Sequence, residues 1–144
     1  SDRFLIVSVD GEDYRHRPVD GHTQALAGSE CENLVQEKVS RGLNVAVDDF
    51  EKLLAHLAKV HPSKFLKLID GVDSLVLKNA HVLTDQSAAL RLVSFVDRLY
   101  ESQVSLGSTG IGLTEVFSAE YLSGGYKKKY LRAISRIGSL TSAF

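Results

Sequence analysis

The chain has 144 residues, of which 44% are hydrophobic and 24% are charged, a balance typical of one globular domain that buries a core. Its formal net charge of −1 provides no global field to attract nucleic acid or acidic lipid, so we do not expect nucleic acid as a partner. The single cysteine, Cys31, excludes an internal disulfide and favours a reducing, cytoplasmic location. No apolar run approaches the ~20 residues that a membrane span requires.

The absence of methionine from the chain indicates a piece of a longer protein. No methionine occurs even at position 1, and the apolar segment Phe4–Val9 follows almost immediately. We therefore expect residues 1–144 to be a single domain that forms part of a larger chain.

The first third of the chain predicts two strands and one helix. Phe4–Val9 contains an apolar run without polar alternation, which is typical of a strand that is covered on both faces of a parallel sheet. Residues 10–28 contain glycines and charges without periodicity and predict a loop. A helix is predicted over Glu30–Ser40, with Gly42 at its C-terminal end. The alternation in Leu43–Val47 then predicts a second strand.

The next segment predicts a further helix, a short helix and a third strand. Asp48 is the expected N-cap of a helix that extends to about Val60. Pro62 ends that helix and precedes a short one over Ser63–Ile69. The apolar run Leu75–Leu77 predicts the third strand.

The strongest pattern in the sequence lies between Thr84 and Ser108. Apolar residues recur at helical spacing and form one stripe: Ala89, Leu92, Val93, Val96, Leu99 and Tyr100. Polar residues fill the other face: Arg91, Ser94, Asp97, Arg98 and Glu101. Thr84 is the expected N-cap. The period then changes to two, so that Val104–Leu106 predicts a strand that Gly107 ends. A helix that leads into a strand is typical of an α/β fold, here a small, mostly parallel sheet flanked by helices.

A glycine motif over Gly107–Thr114 has the spacing G-x-x-x-x-G-x-T directly after the predicted strand. A phosphate-binding loop would lie at this place in an α/β protein. The position that requires lysine, however, is occupied by Leu113, which cannot supply the positive charge that reaches the phosphates. We therefore favour a flexible connector over a phosphate-binding loop.

The last predicted helix, Tyr126–Leu140, contains the main concentration of basic residues, which comprises Lys127, Lys128, Lys129, Arg132 and Arg136. Three of these follow one another at intervals of four and therefore share one helix face: Lys128, Arg132 and Arg136. Two interpretations remain open. The face is either simply solvated, or it binds the phosphate of a nucleotide or a nucleic-acid backbone.

Other candidate sites are weaker in pattern. The five histidines show no metal-ligand spacing. Cys31 lies on an apolar helical face and is interpreted as a core residue rather than a nucleophile. Asp10 and Asp13 follow a predicted strand end, where α/β proteins place ligands, although a charged surface loop would have the same composition.

Three segments together resemble the ZapE-type (AFG-like, AAA-type) cell-division P-loop ATPases. Val9–Arg15 resembles the family's LDGxDYR stretch. Phe95–Leu106 is similar to its LIDxLYDxxVKL helix and strand, and Tyr130–Ile137 is similar to its FERTxSRL segment. The order and approximate spacing of the three segments also agree. Leu131 and Ala133 depart from the pattern, because the family usually has Glu and Thr there.

The resemblance implies that the chain is the C-terminal part of a P-loop ATPase whose Walker motifs lie upstream. ATP and Mg would bind in the full-length parent, whereas the fragment alone would bind no cofactor and would be inactive. Arg136, and as second choice Arg132, become candidates for a sensor-2-like arginine or an arginine finger. Asp10, Asp13 and Arg15 become candidates for cofactor contacts.

The same resemblance implies partners. These are the upstream ATPase core of the same chain, further copies in a homo-oligomer, and cell-division proteins. The alternative hypothesis is a stand-alone interaction module that uses its basic helix to bind an acidic protein or nucleic acid.

Overall fold

The computed structural model describes residues 8–9, 12–13 and 28–144. Two short strands, β1 (Ser8–Val9) and β2 (Glu12–Asp13), pair with each other in antiparallel register. The strand predicted over Phe4–Val9 lies mostly outside the described residues, and its last two residues join β2 rather than a parallel sheet. Glu12–Asp13 falls within the segment that was expected to be a loop.

A three-stranded parallel sheet confirms the predicted α/β fold. Its strands are β3 (Val45–Asp49), β4 (Ser74–Ala80) and β5 (Ser105–Gly110), in the spatial order β3-β4-β5. β3 and β5 both pair in parallel with β4, which is therefore the central strand. Each observed strand extends beyond the C-terminal end of the corresponding predicted strand, because polar residues continue the ladder after the apolar run has ended.

Helices connect and flank these strands. The first helix, α1 (Gly28–Ser40), precedes β3. The connection from β3 to β4 contains α2 (Phe50–Leu57), the 3₁₀ turn Pro62–Lys64 and α3 (Phe65–Leu68). The connection from β4 to β5 is α4 (Gln86–Glu101). After β5 come the 3₁₀ turn Leu113–Glu115, α5 (Ala119–Leu122) and α6 (Lys127–Ser142).

The sequence of the central strand β4 lacks polar alternation because residues on both of its faces are buried. Leu75, Val76 and Leu77 are all buried, because helices cover both faces of β4. Five of the six residues of the predicted α4 stripe are buried, whereas Tyr100 is only partly buried. With Phe95, the buried set is Ala89, Leu92, Val93, Phe95, Val96 and Leu99. Ser74 and Ser105 are the first residues of β4 and β5, and their buried hydroxyls form a hydrogen bond with each other.

Two predicted helix caps are wrong by one residue. The N-cap of α4 is Asp85 and not Thr84, because the Asp85 carboxylate accepts the Ala88 backbone N–H at 3.1 Å. The N-cap of α2 is likewise Asp49 and not Asp48, and it accepts the Lys52 backbone N–H. In both helices the carboxylate lies three residues before the donor, which is the usual capping distance.

The predicted end of β5 at Gly107 is also wrong. The strand continues to Gly110, and its intervening residues Ser108 and Thr109 are buried. A Cβ atom at Gly107 would lie 3.0 Å from the ring of Phe144, so glycine at this position allows the ring to pack on the strand. The first half of the Gly107–Thr114 motif is therefore buried strand rather than a flexible connector.

Candidate functional site

Helix α6 carries the basic residues, and its apolar face fixes it firmly to the domain. Tyr130, Ala133, Ile137 and Leu140 are buried, and α6 packs against α4. The Tyr130 ring stacks against Tyr121, with the two ring centroids 5.4 Å apart. Side chains on the α4-facing side of α6 therefore project from a well-supported backbone.

Two arginines of α6 share one carboxylate of α4. Nη1 of Arg136 donates to Oδ1 of Asp97 at 2.5 Å, and Nη2 of Arg132 donates to Oδ2 at 3.3 Å. The Asp97 side chain is only 15% exposed, so that water screens these interactions less than it would at an open surface. The sequence-predicted arginines are thus brought together at the junction of α4 and α6.

The two guanidinium groups differ in their surroundings. The Arg136 guanidinium carbon lies 4.8 Å from the centroid of the Tyr100 ring, so the cation is held by a carboxylate and an aromatic face. Its side chain is 29% exposed. The Arg132 side chain is 54% exposed, and its one hydrogen bond in the described part of the chain is the long one to Asp97. Arg136 is therefore anchored, whereas Arg132 retains unused donors.

This cluster can bind an additional anion. Two permanent positive charges face one carboxylate, which leaves a formal excess of one positive charge. A guanidinium has five N–H donors in a planar fork, and Arg132 uses only one of them here. A phosphate or carboxylate oxygen could therefore be bound at Arg132 without breaking the contact between Arg136 and Asp97.

The sequence profile of the AFG1-like ATPase family matches residues 1–144. The chain belongs to this family. No curated protein and no solved structure matches the chain at a significant level. The resemblance drawn from the three motif segments is thereby confirmed at the level of the family. The match also supports nucleotide and metal use by full-length members.

In this member of the AFG1-like ATPase family the lysines of α6 differ from the arginines in their surroundings. Lys127, Lys128 and Lys129 are exposed, and within residues 28–144 they form no ion pair. They occupy the first turn of α6, whose N-cap residue Tyr126 makes no side-chain capping bond. Cations at this end oppose the helix dipole. The basic residues that the sequence places together thus separate into an exposed lysine end and a docked arginine pair.

A second polar group lies at the carboxyl edge of the sheet, where the strands β3, β4 and β5 end. The Asn79 amide donates to Asp49 at 3.1 Å, and the Asn79 backbone N–H donates to the Thr109 hydroxyl at 3.0 Å. Partial burial opposes ionisation of Asp49, but the hydrogen bonds from Asn79 and the α2 backbone outweigh it and lower the pKa of the carboxyl. These bonds connect the three strand ends, so we interpret the group as structural.

The edge group also contains an exposed ion pair. Nε2 of His81 bonds to the Glu51 carboxylate, and Nδ1 contacts the Val82 carbonyl oxygen at 2.9 Å. The backbone bond to Val82, together with Glu51, raises the pKa of His81.

Within the part of the chain that the structure describes, no group of three or more His, Cys, Asp or Glu side chains could hold a metal ion.

The sequence candidates before residue 28 have no described side chains. Asp10 and Arg15 fall outside the described residues, and Asp13 is described only as part of β2.

The structure confirms that Cys31 is a core residue. Its side chain is 1% exposed, and burial raises the pKa of its thiol to about 11. In the described residues no helix is both long enough and apolar enough to cross a membrane.

The central residue of the arginine cluster was not identified from the sequence as a functional residue. The helical pattern places Asp97 on the polar face of α4, together with Arg91, Ser94, Arg98 and Glu101. The position of Asp97 in the sequence nevertheless indicates that its side chain could lie near the domain. It lies four residues after Val93 and three before Tyr100, at the border of the apolar stripe. A carboxylate at such a border can face a neighbouring helix, but the sequence does not show that this neighbour is α6.

Proposed function

We propose that the chain is the C-terminal region of an ATP-hydrolysing AAA-type protein and that it supplies arginines to the nucleotide. The family supports ATP hydrolysis in the full-length protein. The phosphate-binding loop and the Mg-coordinating carboxylate would lie upstream, because the G-x-x-x-x-G-x-T motif of this chain has Leu113 in place of lysine and is partly buried strand. ATP and Mg would thus be cofactors of the parent and not of this region alone.

The observation that carries this proposal is the pair of arginines on one carboxylate. Planar guanidinium groups suit the equatorial oxygens of a transferring phosphoryl group, where negative charge must be stabilised. Arg132 is the more exposed of the two and has free donors, so it would contact the phosphate directly. Arg136 would support it from the anchored position, or act as the contact residue if the nucleotide approaches from the Tyr100 side.

The resemblance to the cell-division ATPases extends this proposal to the biological context. The parent would act in the cytoplasm on cell-division or quality-control proteins. A trans-acting arginine finger contacts a nucleotide that another subunit binds, so this role would include self-association of the parent. A sensor-2-like role would need only the upstream core of the same chain.

The test is steady-state ATP hydrolysis by the full-length parent that carries single substitutions. We expect Arg132→Ala and Arg136→Ala to lower turnover by about 10²-fold or more, because the positive charge acts mainly in the transition state. Arg136→Lys should restore little, since an ammonium cannot replace the planar fork. Lys127→Ala is the matched control from the exposed end of α6 and should change turnover little.

Circular dichroism would establish that each variant is folded. Turnover equal to that of the wild type in both arginine variants would contradict the proposal and would leave the basic face of α6 as a solvated surface or a docking patch.

A further inference from the structure

We propose that Asp97 is a positioning residue for the arginine pair: it holds Arg136 in place and releases Arg132 when an anion arrives. This inference rests on the proposed nucleotide role of the two arginines. It adds a residue outside α6 on which the orientation of both guanidinium groups depends.

The first argument is electrostatic. Arg132 and Arg136 are four residues apart on one helix face, and both remain charged at any accessible pH. Without a carboxylate between them the two cations would repel each other at a junction that is only partly exposed to water. Asp97 accepts one hydrogen bond from each, through different oxygens, and so allows both guanidinium groups to face the same place.

The second argument is rigidity. Asp97 follows Phe95 and Val96, which are both buried, and precedes the buried Leu99. Its backbone is therefore fixed by the core of the domain, and its carboxylate is a fixed reference point for α6. Arg136 contacts this point and the Tyr100 ring at the same time, which determines both the position and the tilt of its guanidinium.

The third argument is the inequality of the two bonds. The Arg136 bond measures 2.5 Å and the Arg132 bond 3.3 Å, and Arg132 is nearly twice as exposed as Arg136. An incoming phosphate oxygen therefore competes with Asp97 for Arg132 much more easily than for Arg136. Asp97 would orient Arg132 before binding and give up this long bond on binding, while Arg136 stays in place.

The experiment measures ATP hydrolysis by the full-length parent with Asp97→Asn, which preserves shape but removes the charge. We expect kcat to fall about 10-fold or more, because Arg136, the arginine that Asp97 still holds after the anion has bound, loses its orientation in the transition state. We expect KM for ATP to stay the same or decrease, because the group that competes for Arg132 is weakened. Asp97→Glu, which keeps the charge, should recover part of the lost kcat.

The matched control is Glu101→Gln on the same helix. Glu101 pairs with Arg98 at 2.7 Å on the exposed side of α4, so this variant also removes one carboxylate from an ion pair. It should leave kcat and KM unchanged. Circular dichroism and the urea midpoint of each variant would show whether the fold is retained.

A double-substitution cycle separates positioning from an independent role. If Asp97 acts through Arg136, Asp97→Asn should lower kcat less than twofold further in a chain that already carries Arg136→Ala. Full additivity would overturn the proposal, as would a wild-type kcat for Asp97→Asn when Arg136→Ala is impaired. If both arginine variants turn over normally, the nucleotide role itself fails, and the role of Asp97 fails with it.

Discussion

At Gly110 the backbone leaves no room for any side chain. Its φ is +91°, and a Cβ atom there would lie 2.4 Å from the carbonyl oxygen of Ala80 on the neighbouring strand. We predict that Gly110→Ala lowers the free energy of unfolding by about 2 kcal/mol or more, through left-handed strain and a backbone clash. Gly138→Ala is the control, because Gly138 lies in α6 with open space around it and should gain about 0.5–1 kcal/mol. Urea denaturation of both variants measures this, and equal losses would contradict it.

The Cys31 thiol provides a second prediction at the scale of the residue. It is 1% exposed, and burial raises its pKa to about 11, so the reactive thiolate at pH 8 is about one part in a thousand. We predict that a thiol reagent modifies the native chain far more slowly than the same chain in urea. Modification at similar rates in both states would show that α1 opens readily.

His81 provides a pH dependence. Its bonds to Val82 and Glu51 raise the pKa in the folded state above that of the unfolded chain, which is near 6.5. The protonated form therefore stabilises the fold below pH ~6.5, and this contribution disappears as pH rises through the folded pKa. We predict that Glu51→Gln flattens the dependence of the urea midpoint on pH above about 6.5, where this contribution is lost. A dependence that the variant leaves unchanged would place its source elsewhere.

At the scale of the element, the C-terminal end of β5 depends on contacts that the local sequence pattern does not show. The sequence predicts a strand that stops at Gly107, because glycine is a weak strand former and usually marks a turn. The observed strand continues through Gly107 because it pairs with β4, where Val76 is the partner of Gly107. The ring of Phe144, distant in sequence, packs against this glycine, 3.0 Å from where a Cβ atom would lie. Pairing with β4 thus outweighs the local preference of glycine for a turn.

Helix α4 is the opposite case, since its apolar stripe identified its buried face correctly. Leu99 is 1% exposed and lies in the core, whereas Arg91 is partly exposed and forms no ion pair within residues 28–144. We predict that Leu99→Ala lowers the free energy of unfolding by about 2–5 kcal/mol and that Arg91→Ala changes it by no more than about 0.5 kcal/mol. Chemical denaturation compares the two variants. Similar losses would mean that the face of α4 toward the sheet is misassigned.

At the scale of the whole molecule, the parallel sheet was predictable and the arginine cluster only in part. Continuous apolar runs separated by helical patterns require strands that are covered on both faces, which leaves a parallel sheet as the simplest solution. The spacing of Arg132 and Arg136 correctly placed them on one face of α6. Their shared carboxylate could not be predicted, because Asp97 precedes them by 35 and 39 residues and the packing of α4 on α6 brings them together.

The last prediction concerns the isolated chain of residues 1–144. Gly107, Ser108 and Thr109 lie in a strand that pairs with β4, and Leu113 is buried, so the glycine motif does not form a loop of free N–H groups with a lysine beside it. We predict that the chain hydrolyses no ATP and binds Mg-ATP with a Kd no tighter than about 100 μM, through the arginine cluster alone. Calorimetric titration with Mg-ATP measures this affinity, and Arg132→Ala should weaken whatever binding remains. Submicromolar binding that Thr114→Ala abolishes would instead show that the glycine motif contacts the phosphates.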